Sequence, residues 1–420
     1  MDANRVHDIL SKKICYHPEA IVIDQDLSIG SWLFDLRDGT EYLDLFSQFA
    51  SQPLGWNHPK LLAQQDRLGR AALYKIANPD MYSVELAQFV EAWSSITPDF
   101  DHHFFIDTGT LAVENALKAA FDWKAQLMGL KQDSAADELQ VIHFTQAFHG
   151  RSGYTLSLTN NIHNPLKTKF FPKWQTWPRI GAPRVIEHNL RETERLEGIA
   201  LDDIRWHLAG GKMAAIIIET IQGEGGDNHF RGEFLRELRT LASDNEAMLI
   251  FDEVQCGIGL TGKMWAYEHF DVVPDIIAFG KKSQVCGISS TSRIDLVIDN
   301  VFENPSRINS TWGGNTVDMV RATILIEIIK EENLVQNAAL VGSYFLEKLK
   351  TLGFENTRGR GLMIAFDVKD KPERDALIHR MKQNRILALA CGGRSIRFRP
   401  HLTFSQQDAD EAVERIRKSI

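Results

Sequence analysis

Two short apolar runs, each stopped by charge, constrain this 420-residue chain more than any other feature. Met248-Leu249-Ile250-Phe251 runs straight into Asp252-Glu253. Ile276-Ile277-Ala278-Phe279, preceded by Asp275, runs into Gly280-Lys281-Lys282. Unbroken apolar runs of this length are the pattern of strands buried on both faces of a parallel sheet. In open α/β sheets a ligand sits outside the carboxyl ends of the strands, so Asp252 and one of the lysines are expected to converge on one crevice.

A carboxylate and a reactive amine in one crevice suggest pyridoxal 5′-phosphate. The amine forms a Schiff base with the cofactor aldehyde, and the carboxylate keeps the pyridine nitrogen protonated so that the ring accepts electrons. Six further blocks stand in order along the chain: YLDLFSQFASQPLGWNHP, LAVENALKAAFDWK, FHGRSGYTLSLTN, ETIQGEGGDNHF, INSTWGGN and SIRFRP. With the Met248–Gly287 stretch, they resemble the class III, fold-type I aminotransferases. Together they are far more specific than any one motif.

The resemblance implies an α/β fold: a mixed, mostly parallel sheet flanked by helices in a large cofactor-binding domain (59–314). A smaller α+β domain would come from the N-terminal arm and first strands (1–58) and the C-terminal part (315–420). Composition is compatible with this. Charged residues are 25% and hydrophobic ones 44%, ordinary for a globular enzyme. The net charge of -9 argues against nucleic acid or an anionic membrane as partner. Cys15, Cys256, Cys286 and Cys391 are scattered without CxxC spacing and read as reduced thiols. No signal core or membrane-length apolar run is evident, so the expectation is a cytoplasmic protein.

Taken in order, residues 1 to about 30 read as polar and irregular. Ser31–Thr40 then reads as strand, turn, strand, with Asp38-Gly39 as the hairpin signal. Thr110–Gln126 has the apolar spacing of an amphipathic helix, with Leu111, Ala112, Ala116, Leu117, Ala120 and Phe121 on one side. Asp107-Thr108-Gly109-Thr110 precedes it, a junction that is either a plain N-cap or an anion site. Val141–Thr145 and Met213–Glu219 read as strands. Helices are expected over Tyr82–Ser94, Phe230–Ser243, Val317–Glu332 and Val335–Leu352. Ser395–Pro400 is expected on an exposed loop or edge strand.

The resemblance assigns roles to particular residues. Gly109 and Thr110 match the backbone donors of the family's phosphate-binding loop. That loop usually has Ser before the glycine and Glu after it, where this chain has Thr108 and Leu111. Phe148 matches the residue that stacks on the cofactor ring, and Gln255 one near its ring hydroxyl. Lys281 matches the Schiff-base lysine in its spacing from Asp252. Lys282 is then a neighbour on another face. Thr311 matches a residue that contacts cofactor phosphate from the partner subunit, which implies a homodimer with shared active sites. Arg151 and Arg397 match two carboxylate-binding arginines, with Glu224 pairing with Arg397 and opening or masking it. Arg399 reads as structural. His149 could be misread as a base or metal ligand, but no metal-binding motif supports it.

The activity implied is transfer of the ε-amino group of L-lysine to 2-oxoglutarate, giving 2-aminoadipate 6-semialdehyde and L-glutamate. Ornithine and 4-aminobutyrate are the alternative amines within the family. A more distant alternative is a nicotinamide-dependent oxidoreductase, because Gly257-Ile258-Gly259-Leu260-Thr261-Gly262 fits GxGxxG. Gly257–Lys263 also fits most of a P-loop, but Met264 cannot supply its metal-binding hydroxyl. Four residues separate the strand from the first glycine, and Pro274 cuts short any following helix. These glycines are therefore read as turn residues.

Overall fold

Met213–Glu219, Met248–Asp252 and Ile276–Phe279 lie side by side as parallel strands at the centre of the computed structural model, which describes residues 2–130, 138–174 and 176–420. Every residue of the three strands is buried. Alternate residues face opposite layers. Ile216, Ile218, Leu249, Phe251, Ile277 and Phe279 enter one apolar cluster. Ala215, Ile217, Met248, Ile250, Ile276 and Ala278 enter the other. A strand buried on both sides has no polar face to show, so the sequence reads as a continuous apolar run.

The full sheet has seven strands, in the order His102–Phe105, Gly287–Ser290, Ile276–Phe279, Met248–Asp252, Met213–Glu219, Gln140–Phe144 and Arg179–Ile180. Gly287–Ser290 runs antiparallel to both its neighbours, while the other pairings are parallel. The sheet is therefore mixed and mostly parallel, as expected. Gly109–Leu127 crosses one face, and its small buried residues Ala112, Ala116, Ala119 and Ala120 allow close approach to the strands. The buried stripe differs from the one read in the sequence: Val113, Ala119 and Trp123 are inside, and Leu111 is exposed.

A second, antiparallel sheet orders Glu355–Arg360, Met363–Asp367, Ser395–Phe398 and Leu389–Cys391. A third joins Ile23–Ile29, Trp32–Asp35 and Glu41–Asp44 to Ile386–Leu387, so the first fifty residues and the last forty share hydrogen bonds. Two expectations need correction. Residues 1 to 30 are not wholly irregular: they contain the helix Asn4–Leu10 and the strand Ile23–Ile29. That strand carries Asp24, Gln25 and Asp26 and is recruited by its antiparallel partner, not by its own apolar pattern. Ser395–Phe398 is neither exposed nor an edge. It is an interior strand, fully buried, because its charge is paired inside the protein.

The GxGxxG glycines belong to a packed turn. A Cβ on Gly257 would stand 2.7 Å from the Trp265 ring, and one on Gly262 would stand 2.8 Å from Ala339 Cβ. No α-helix follows before Pro274. Among the described residues no helix is long and apolar enough to cross a membrane, and no group of three or more His, Cys, Asp or Glu could hold a metal ion.

Candidate active site

Asp252 and Glu219 end adjacent parallel strands in register, so their carboxyl groups stand side by side at the carboxyl edge of the sheet. Asp252 Oδ1 accepts the Val254 backbone N–H at 3.1 Å. Its Oδ2 lies 2.7 Å from His149 Nδ1, and since a carboxylate can only accept, His149 donates from Nδ1. The imidazole is buried and fixes which way the acid faces. Glu219 accepts the N–H groups of Phe148 at 3.0 Å and Gly223 at 2.9 Å. Burial, with the Asp252 charge beside it, pushes its carboxyl up to about 7.

Lys281 follows the strand Ile276–Phe279 and Gly280, with its backbone in the left-handed region at φ 56°. For a residue other than glycine that conformation costs about 1–3 kcal/mol, a strain typical of functional sites. Burial and the nearby cations of Arg397 and Arg399 push its amine down to about 8, against the opposing pull of Asp252 and Glu219. Among the described residues no hydrogen bond engages its Nζ. Lys282 is committed elsewhere: its buried Nζ donates to the Gln52 carbonyl at 3.1 Å.

Thr108 ends the approach to the helix Gly109–Leu127 without capping it through its side chain. The first-turn amides of Gly109 and Thr110 therefore face the cavity with no acceptor among the described residues. A Cβ on Gly109 would stand 2.9 Å from Val254 Cγ1, so the close approach needs glycine. The Thr110 hydroxyl is already spent: it accepts the Arg151 N–H at 3.0 Å and pairs with Thr155 Oγ1 at 2.8 Å. Gly150 permits this contact, having φ +136° and no room for a Cβ beside the hydroxyl.

A cavity of about 420 Å³ is lined by Gly109, Thr110, Phe148, Arg151, Glu219, Asp252, Gln255 and Lys281, among others. The Arg151 guanidinium is exposed at its mouth, 5.9 Å from the Phe148 ring centre, and pairs with no carboxylate among the described residues. Arg397 is the opposite case. Its Nη2 donates to Glu224 Oε2 at 2.9 Å and its Nη1 to Gln255 Oε1 at 3.1 Å. Gln255 Oε1 also accepts from Arg399 Nη2 at 3.0 Å. Arg399 is wholly buried and held by Asp227, with one contact at 2.8 Å. Glu224 has a second cation, since Lys167 Nζ pairs with its Oε1.

Sequence reasoning thus named nine residues that meet around one crevice: Gly109, Thr110, Phe148, Arg151, Glu224, Asp252, Gln255, Lys281 and Arg397. Thr311 is exposed and does not line the cavity of its own chain. Glu219, His149, Lys167 and Asp227 were not credited. Glu219 ends an apolar run in an acid, the same signal that singled out Asp252. Lys167 had no local signal at all.

The residues fit pyridoxal phosphate. Free helix-start amides suit a phosphate, a buried acid at the floor suits a pyridine nitrogen, and an amine free of protein hydrogen bonds suits an aldehyde. Residues 16–420 match the family "Aminotransferase class-III". The chain is 45% identical to the L-lysine-epsilon aminotransferase of Amycolatopsis lactamdurans, covering 100% of this chain and 96% of that protein. It is 34% identical to the 4-aminobutyrate aminotransferase of Kluyveromyces lactis, over 96% and 91% of the two chains. A lysine aminotransferase structure from M. tuberculosis superposes with a TM-score of 0.96 at 44% identity, covering 100% of this chain and 99% of that one. Fold, crevice and likeness over the whole length agree: the chain belongs to the class-III aminotransferases, enzymes that work with pyridoxal 5′-phosphate.

Proposed function

We propose that this enzyme moves the ε-amino group of L-lysine to 2-oxoglutarate, releasing 2-aminoadipate 6-semialdehyde and L-glutamate. The observation that carries the reading is the pair of guanidiniums around one lysine: Arg151 open at the mouth, Arg397 covered by Glu224. One substrate has a single carboxylate far from the reacting amine, and the other has two carboxylates. A site with one free fork and one masked fork can serve both in turn. The stronger likeness to relatives named for L-lysine than to one named for 4-aminobutyrate supports the choice of amine.

Pyridoxal phosphate, when bound, supplies an aldehyde that takes up amines and a ring that withdraws electrons from the adjoining bonds. Gly109 and Thr110 would hold the phosphate through backbone amides, with Phe148 and Gln255 lining the cavity on the cofactor's ring. Asp252, aimed by His149, holds a proton at the pyridine nitrogen. Lys281 would anchor the cofactor. Its amine, which burial and the neighbouring arginines push down to about 8 in the cofactor-free chain, would be suited to take a proton from the substrate Cε. Arg151 grips the α-carboxylate of L-lysine while Glu224 keeps Arg397 neutralised. For 2-oxoglutarate, Glu224 leaves Arg397, and the two arginines take one carboxylate each.

The working unit in this reading is a homodimer, with Thr311 reaching the phosphate in the partner's site. Its exposure and its position outside its own cavity support this. The test is to add L-lysine, L-ornithine and 4-aminobutyrate separately to the cofactor-loaded enzyme without a keto acid and follow the cofactor absorbance. L-Lysine should convert it fastest and yield the ε-semialdehyde. A faster reaction with another amine would move the substrate and keep the chemistry. Discrimination rests on pocket length, and one methylene is worth about 1–3 kcal/mol, so slow turnover of ornithine is expected.

A further inference from the structure

We propose that Lys167 is the second seat of the Glu224 gate, the cation onto which Glu224 settles when it uncovers Arg397 for a dicarboxylate. The inference rests on the two-arginine reading above. The Glu224 carboxylate lies between two cations, one on each oxygen: Arg397 Nη2 on Oε2 at 2.9 Å and Lys167 Nζ on Oε1. The side chains are 4% exposed at Arg397, 13% at Lys167 and 18% at Glu224. In such a setting a carboxylate that loses its only partner is left desolvated and unpaired, which opposes the move. A carboxylate already bonded to a second cation keeps one charge-assisted hydrogen bond when it gives up the first.

The local backbone restricts the motion to the side chain. The Glu224 carbonyl accepts the Gly392 N–H at 2.9 Å and the Asn161 Nδ2 at 3.2 Å, so the residue is pinned from two directions. Asn161 belongs to the same connection as Lys167, which keeps the lysine within reach of the gate. The Lys167 ammonium also lies 5.0 Å from the Phe148 ring centre, at the cofactor wall. Among the described residues it has no other carboxylate partner. Lys167 is a positioning residue: it acts on the substrate through Glu224.

Binding of unreactive acids to the cofactor-loaded enzyme tests this. Glutarate has the two carboxylates of 2-oxoglutarate, and pentanoate has one; neither can react. Replacing Lys167→Met should weaken glutarate about tenfold, the loss of roughly one charged hydrogen bond, and leave pentanoate within about twofold. Lys167→Arg should restore glutarate. In single turnovers K167M should slow the 2-oxoglutarate half-reaction and spare the L-lysine half-reaction.

A lysine near the site could also attract a dianion directly, so the same comparison is made in a Glu224→Gln background. There the gate carries no charge, and K167M should change glutarate binding less than twofold. A tenfold loss persisting in that background would overturn the proposal, as would equal losses for the two acids or no loss at all. E224Q alone separates the layers. If it leaves glutarate affinity unchanged, the two-arginine reading itself fails. If it tightens glutarate while K167M has no effect, only the Lys167 seat falls.

Discussion

Burial sets the chemistry of single residues here before any cofactor enters. Lys281 has an amine at about 8 because desolvation and two arginines act against its charge, and only the neutral amine attacks an aldehyde. Capture of pyridoxal phosphate by cofactor-free enzyme should therefore speed up about tenfold per pH unit below 8 and level off above it. Stopped-flow absorbance measures this, and a rise continuing towards 10.5 would mean an unshifted lysine. Glu219 has the opposite sign. Its carboxyl stands near 7 in the folded protein against 4.5 as a free group, so between those values the folded state holds the extra proton. Stability falls as pH rises through that window, by up to about 1.4 kcal/mol per unit. In cofactor-free protein, Glu219→Gln should therefore gain thermal midpoint relative to wild type as pH goes from 5 to 7. A constant difference would show Glu219 ionised throughout.

At the scale of elements, the helix Gly109–Leu127 and the loop after Asp252 meet closely enough to exclude a methyl group. Gly109→Ala places its Cβ 2.9 Å from Val254 Cγ1, closer than carbon atoms pack. The helix start must shift, and its free amides with it. Pyridoxal phosphate binding should weaken by about tenfold, the cost of roughly one charged hydrogen bond, and Val254→Ala in the same chain should recover most of the loss. Equilibrium titration of the three variants decides it. Absence of rescue would place the damage outside this contact, since alanine is itself a better helix former than glycine. The strand Ser395–Phe398 teaches the same lesson from the other direction. Arg397 made it read as exposed, yet Glu224 and Gln255 satisfy that charge inside. Arg399, next in the chain, is likewise satisfied by Asp227.

For the whole molecule, one surface stretch is too apolar to face water without reason. Tyr74 is 77% exposed and Tyr82 86%, with Leu73, Met81 and Val84 also open. Lys75 lies 3.7 Å from the Trp312 ring centre, so this stretch adjoins the loop that carries Thr311. Patches of this kind mark association surfaces. If the proposed homodimer forms through this surface, wild type should scatter light as a dimer, and Tyr82→Asp should move it towards monomer and lower its retention of cofactor. Thr311→Val should lower retention without changing the mass seen in light scattering. A monomer that keeps full cofactor affinity would refute the shared site.

What the chain stated by itself was local: apolar runs, their charged ends, and the glycines at forced turns. Those features fix strands and the edge on which a ligand sits, because strand burial and helix starts depend on neighbours a few residues away. Asp252 and a lysine beyond the next strand could be read for that reason, while the choice of Lys281 over Lys282 came from the family resemblance. The tertiary structure alone decided which charges meet. His149 behind Asp252, Glu219 tying Phe148 to Gly223, Asp227 on Arg399 and Lys167 on Glu224 are contacts between segments distant in sequence. The strand Ile23–Ile29 likewise owes its form to its neighbour, not to its own letters. Pairing is a property of two places in a fold, and a sequence read in one direction shows only one of them at a time.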